Sequence, residues 1–196
     1  MARPSHKEKL LAAGLKVMFR RGYNGSGVRD ITAQAKAPLG SFTNHFASKE
    51  DFAREVLDRY FAHTQGLLAE AFGDRRLSPR ARLRRYLDIV TERLEADHFK
   101  RGCLIGDFSL EAVPHSEMLR QRLSAIFTEW REPFAACIAE AQLTREIAKT
   151  FSPEELADFL LASWEGAILC MKVERNSAPL ERFKAIVFAT VFKEPV

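Results

Sequence analysis

Residues 28–46 read VRDITAQAKAPLGSFTNHF, and the fold of the whole chain turns on how this stretch divides. Val28, Ile31 and Ala35 recur at i, i+3, i+7, which puts an apolar face on one short helix and points Arg29, Asp30, Thr32 and Gln34 away from it. Pro38 stops that helix, because the residue before a proline is pushed out of the helical region, and the break falls at Lys36 and Ala37. Pro38 or Leu39 then opens a second helix, in which Leu39, Phe42 and Phe46 again fall at i, i+3, i+7. Gly40, Ser41, Thr43, Asn44 and His45 are left on its open side. Such a surface suits the DNA major groove: Asn pairs a donor and an acceptor with adenine, Ser and Thr reach base edges or phosphates, and glycine lets the backbone come close. Two short helices joined by a tight turn make a helix-turn-helix.

Outward from this stretch the chain reads as helices throughout. Before it, Ser5 caps a helix carrying Leu11, Leu15, Met18 and Phe19, which Gly22 ends; Arg20 and Arg21 fall in its last turn, where cations suit the helix dipole. After it, Ser48 and Asp51 form a capping signature for a long helix expected to reach about Phe72. Lys49 opens that helix next to the reading surface and is placed for a phosphate. Ser78-Pro79, Ser116, the capping box Ser152-Pro153-Glu154-Glu155 and Pro179 mark four further starts. Pro133 is an expected kink, and the last helix is expected to run to about Phe192. The spacing predicts an all-α chain: a three-helix helix-turn-helix DNA-binding head over residues 1–49 and a larger helical body over residues 50–196.

Charge follows the same division. Residues 1–49 hold nine Lys/Arg against two Asp/Glu, and the remainder 21 against 24, so a head of net +7 precedes a body of net −3. A phosphate-binding head on a non-binding body has this balance. The basic run Arg75, Arg76, Arg80, Arg82, Arg84, Arg85 is most simply a solvated face. No apolar run approaches about 18 residues and no signal-peptide pattern opens the chain, so a cytoplasmic protein with no membrane partner is expected. Cys103, Cys137 and Cys170 are too widely spaced to read as a disulfide framework.

The motif resembles the DNA-binding domain of the TetR family of bacterial repressors. The resemblance rests on Phe19 through Tyr23, Asp30-Ile31, Ala35, Gly40-Ser41-Phe42, His45-Phe46 and Ser48-Lys49-Glu50. Two positions depart from the family pattern: Thr43 stands where tyrosine is common, and Leu39 where relatives often have lysine. The resemblance implies a homodimer on double-stranded operator DNA, with Arg29, Gly40, Ser41, Thr43, Asn44, His45 and Lys49 at the DNA, and release by a small-molecule inducer. Gly102-Cys103-Leu104 resembles a subgroup that includes electrophile- and acrylate-responsive repressors, and Trp164-Glu165-Gly166-Ala167 extends the likeness loosely.

Within the body, Cys103 follows Gly102 in a segment expected to hold a turn or helix start, with Lys100 and Arg101 just before it; exposed N–H groups and positive charge there favour a thiolate. It is therefore the expected sensing residue, with packing as the plain alternative. Cys137 and Cys170 lie within apolar helical faces and read as buried. Phe61, Tyr86, Phe108, Trp130 and Trp164 are candidates to line an inducer pocket, although aromatics at helical spacing also simply build cores. The wide apolar faces of the two long helices in residues 116–174 suggest pairing with their copies in a twofold bundle. Other classes have less to stand on. An enzyme would need Cys103 as nucleophile with His98 or His115 as base, but no nucleotide loop, serine elbow or cofactor motif is present. A zinc site from His98, Cys103 and His115 has no regular ligand spacing, and the third alternative is an interaction protein whose head serves protein contacts. No cofactor and no metal is expected.

Overall fold

The computed structural model describes residues 5–194. Among the described residues the chain forms nine helices and no strand: α1 (His6–Arg21), α2 (Val28–Ala35), α3 (Leu39–Thr43), α4 (Lys49–Gly73), α5 (Pro79–Ala96), α6 (Leu104–Glu111), α7 (Glu117–Leu143), α8 (Pro153–Glu174) and α9 (Ala178–Ala189). The chain is all-α, as its periodicity requires. The caps are where the residues call for them. Ser5 accepts from the Glu8 N–H, Ser78 from the Ala81 N–H and Ser48 from the Asp51 N–H. Ser152 and Glu155 close the reciprocal capping box of α8. Gly22, at φ +70°, ends α1. Lys36 takes the left-handed conformation (φ 51°, ψ 45°) that joins α2 to the turn, a strain of about 1–2 kcal/mol for a residue with a Cβ.

Two compact units emerge. The first comprises the chain up to His63 together with Leu104–Ala125, and the second comprises Thr64–Cys103 with the chain from Ile126 onward. The unit built around the motif therefore takes in more than residues 1–49: the start of α4, all of α6 and the start of α7 belong to it.

In the first unit Leu10, Val17, Met18, Ile31, Val56 and Leu57 are fully buried. Gly14 lets α1 meet α4, since a Cβ there would stand 2.3 Å from the Phe52 ring. In the second unit Tyr86, Phe134 and Phe72 pack edge to face, with Tyr86 and Phe134 centroids 5.0 Å apart and Phe72 and Phe134 5.2 Å apart. Its buried cations are paired: Lys184 binds Asp88 at 2.8 Å and Arg82 binds Glu140. α7 runs without interruption through Pro133, and its apolar side from Leu119 to Ala141 is buried. α9 stops at Ala189, short of Phe192, where Arg80 donates to the carbonyls of Phe188 at 3.0 Å and Phe192 at 2.6 Å.

Candidate functional site

A five-residue helix cannot hold its shape alone, because nucleation costs more than one turn of hydrogen bonds returns. α3 is held by what lies beneath it. Phe42 and Phe46, both 3% exposed, stack with each other at 5.3 Å and against Phe52 of α4 at 5.1 and 4.8 Å. With that side anchored, Gly40, Thr43, Asn44 and His45 face solvent and Ser41 is half-buried. The Thr43 hydroxyl donates to the Gly40 carbonyl at 3.1 Å, which leaves its oxygen to accept from outside. Gly40 has open space where a Cβ would be, so nothing inside this unit requires a glycine there. Arg29 is exposed on α2, whereas Arg21 is engaged by Asp30 at 2.7 Å.

Lys49 is less open than its position suggests. Its ammonium lies 4.4 Å from the centre of the Tyr23 ring. Burial pulls its pKa below the ordinary lysine value, and the Glu111 carboxylate works in the opposite direction. Leu39, at 49% exposure, adds an apolar edge to the exposed side of α3. The arginine run of α5 and the loop before it is engaged within the chain: Arg75 and Arg82 meet Glu140, Arg76 meets Asp74, Arg85 meets Glu92, Arg80 serves α9, and Arg84 lies over the Phe188 ring at 4.1 Å.

The inducer-pocket candidates are all buried, and the two units divide them. Phe61 and Phe108 belong to the first, and Cys103, Tyr86, Trp130 and Trp164 to the second. Phe108 packs on Tyr23 at 5.4 Å, and Trp164 on Phe183 at 5.4 Å. In the second unit Trp130 donates its indole N–H to the Tyr86 hydroxyl at 3.2 Å. Burial, with Cys103 and Glu165 adding smaller effects, pushes the Tyr86 phenol well above its ordinary range, so it stays protonated. Cys103 lies just before α6 and is itself buried at 7% exposure, beside a Gly102 that packs on Lys172 and Ile168 of α8. Glu165, Ile168 and Lys172 share one face of α8, a spacing present in the sequence but not singled out there. The Trp164 indole N–H is buried with no hydrogen-bond partner.

The cysteines invert one sequence expectation. Cys137 is buried, donates to the Pro79 carbonyl at 3.2 Å and has its pKa pushed up to about 12 by desolvation. Cys170, read as buried, is exposed. It sits on a side of α8 that the chain leaves uncovered, with Phe159, Leu169 and Val173 at 48, 53 and 77% exposure. His98, Cys103 and His115 form no metal cluster, and none exists among the described residues.

A family model described as bacterial regulatory proteins, tetR family, matches residues 10–56, and one described as tetracyclin repressor-like, C-terminal domain, matches residues 79–187. The chain belongs to the TetR family. Among TetR-family relatives it is 45% identical over 188 residues to the HTH-type transcriptional repressor DhaR of Mycobacterium sp. strain GP1, covering 96% of this chain and 93% of that one. It is 34% identical over 176 residues to the transcriptional regulator AcuR of Cereibacter sphaeroides, covering 90% and 80%. The crystal structure of a regulatory protein TetR from Rhodobacter sphaeroides superposes with a TM-score of 0.89 at 33% identity, over 94% of this chain and 97% of that one. The expected helix-turn-helix head followed by a larger helical domain is thus the TetR-family arrangement. Among the described residues no helix is long and apolar enough to cross a membrane.

Proposed function

We propose that this chain is a dimeric, cytoplasmic repressor that leaves a near-palindromic operator when a small, apolar, electrophilic or unsaturated inducer enters its body. The anchored α3 carries the reading: Phe42 and Phe46 are locked inward while Ser41, Thr43 and Asn44, flanked by Gly40 and His45, are offered outward. In the dimer each head sets these residues into one of two successive major grooves, about 34–36 Å apart or a multiple of that. Arg29 is offered to a phosphate, and Lys49 flanks the same surface at the start of α4, within reach of the backbone once it leaves the Tyr23 ring.

The second copy is expected on the uncovered faces of α8 and α9, where Phe159, Ala162, Gly166, Leu169 and Val173 recur at helical spacing and Ile186 is 57% exposed. An apolar stripe of this length on a soluble chain marks a surface that pairs.

For the inducer, the supporting group is Cys103 with Tyr86 and Trp130. A buried thiol and a phenol kept neutral by burial, its hydroxyl accepting from the Trp130 N–H, suit a small, neutral, largely apolar molecule. The inducer works by binding the DNA-incompetent arrangement more tightly, so operator DNA must weaken inducer binding by the same factor. The test measures anisotropy of the protein on its own upstream DNA during titration with α,β-unsaturated carbonyl compounds, for wild type and Cys103→Ser. Release at the same concentration from both proteins removes Cys103 from sensing. Equal inducer affinity with and without DNA removes the inducer mechanism. A turnover assay on activated esters or aldehydes separates a sensor, which reacts once, from an enzyme.

A further inference from the structure

We propose that Glu111, the last residue of α6 and outside the helix-turn-helix, is a positioning residue for DNA binding: it clamps the turn before α2 and keeps the Lys49 ammonium on the Tyr23 ring instead of on a phosphate. The proposal rests on the head binding DNA as described above.

The clamp is built from contacts within the first unit. A Cβ on Gly22 would stand 2.2 and 2.5 Å from the two Glu111 carboxylate oxygens, so the carboxylate is pressed directly onto the turn backbone. The Asn24 N–H donates to Glu111 Oε2 at 3.0 Å, and the Asn24 side-chain amide donates to the Glu111 carbonyl at 3.4 Å. Between Gly22 and Asn24, Tyr23 is gripped as well. Its ring meets Phe108, one turn earlier on α6, and carries the Lys49 ammonium at 4.4 Å.

Two consequences follow from this arrangement. The turn that sets the entry of α2 is fixed by a helix that follows it by more than 80 residues. Lys49, the first residue of α4, is held on the face of a ring that Glu111 and Phe108 fix in place, and that face competes with a phosphate for its charge, while the Glu111 carboxylate favours the charged ammonium there. Removing the carboxylate charge frees the ammonium for the DNA backbone.

The experiment uses the full chain and a mixed-sequence duplex across a salt series, each variant being held below its own melting transition. Glu111→Gln is expected to bind several-fold more tightly at low salt and to steepen the log–log salt slope by about 0.9 per head, the signature of one more phosphate contact. Glu111→Asp keeps the charge and is expected to keep the wild-type slope. In a Lys49→Ala background, Glu111→Gln is expected to change nothing. Tyr23→Leu, which removes the ring beneath the ammonium, reads the same release if the glutamine variant does not fold, and is expected to steepen the slope likewise. The proposal is overturned if the slope of Glu111→Gln, or of its Tyr23→Leu substitute, does not steepen, or if the gain persists without Lys49. Failure of the wild-type protein to bind the duplex would instead overturn the reading of the head.

Discussion

Gly40→Ala should move stability and DNA binding in opposite directions. Within the chain the glycine has no visible use: it lies in α3, a Cβ would enter open space, and its φ is not in the left-handed region. Glycine in a helix costs about 0.5–1 kcal/mol relative to alanine, chiefly through the freedom it loses on folding. Because Gly40 is in the first turn of a short helix, the lower figure applies, and the alanine variant should gain about 0.5 kcal/mol against urea. Bound to DNA the balance reverses. The side chain that meets only solvent in the free protein would stand between the α3 backbone and the groove, and holding the backbone off by a methyl group weakens every contact made by Ser41, Thr43 and Asn44. A loss of about tenfold in operator affinity, or about 1.4 kcal/mol, is the expected scale. Urea unfolding followed by circular dichroism and fluorescence anisotropy on the upstream DNA measure the two effects in the same preparation. An alanine variant that binds as tightly as wild type would show that α3 does not approach the groove through Gly40. A destabilised one would show that the space beside it is not open.

Four further outcomes are expected. Phe42→Ala removes the ring that ties α3 to Phe46 and Phe52, and should cost about 3–5 kcal/mol; a loss below about 1 kcal/mol in chemical denaturation would mean that α3 is held by something else. Asn44→Ala should relax base preference at one position per half-site, by about 1–3 kcal/mol in a selection on randomised duplexes, and unchanged preference would reassign the reading helix. Val173→Glu puts a charge in the exposed stripe of α8 and should give monomers by light scattering; in wild type, Cys170 should alkylate slowly when concentrated and quickly when dilute, and equal rates at both concentrations would remove the α8 face from the dimer. Glu117 is held at about 2, well below its ordinary 4.5, by hydrogen bonds from Arg120 and then Gln121. Its folded pKa is depressed, so its contribution to the first turn of α7 is present above pH 4.5 and lost as pH falls through about 2; an NMR titration placing its carboxyl near 4.5 would show the pairing absent in solution.

Where a helix begins was legible because the signals are local. Ser5, Ser78 and Ser152 each accept from an N–H three residues on, a contact that needs no knowledge of the rest of the chain. Where a helix ends was less so. α9 stops before Phe192 because Arg80, over a hundred residues earlier, takes the carbonyls at its C-terminal end. Pro133 lies inside α7, which continues to Leu143 with Trp130, Phe134 and Cys137 buried on either side of it. Likewise α6 belongs with the head through Glu111 and Phe108, whose partners on the α1–α2 turn no periodicity announces.

The outward face of α3 was legible for a related reason. In residues 39–46 one face is phenylalanine and the other small and polar, so amphipathicity alone decides which side turns outward. α8 offers no such contrast. Leu156, Leu160, Trp164 and Met171 lie on one side and Phe159, Leu169 and Val173 on another, and hydrophobicity does not distinguish the face the chain packs from the face it leaves exposed. That ambiguity made Cys170 read as buried when it is exposed, while the local charge before Cys103 argued for an accessible thiol that the fold encloses. A reagent will therefore sort the cysteines by burial before it sorts them by thiolate character, and only a molecule small enough to enter the body can reach Cys103.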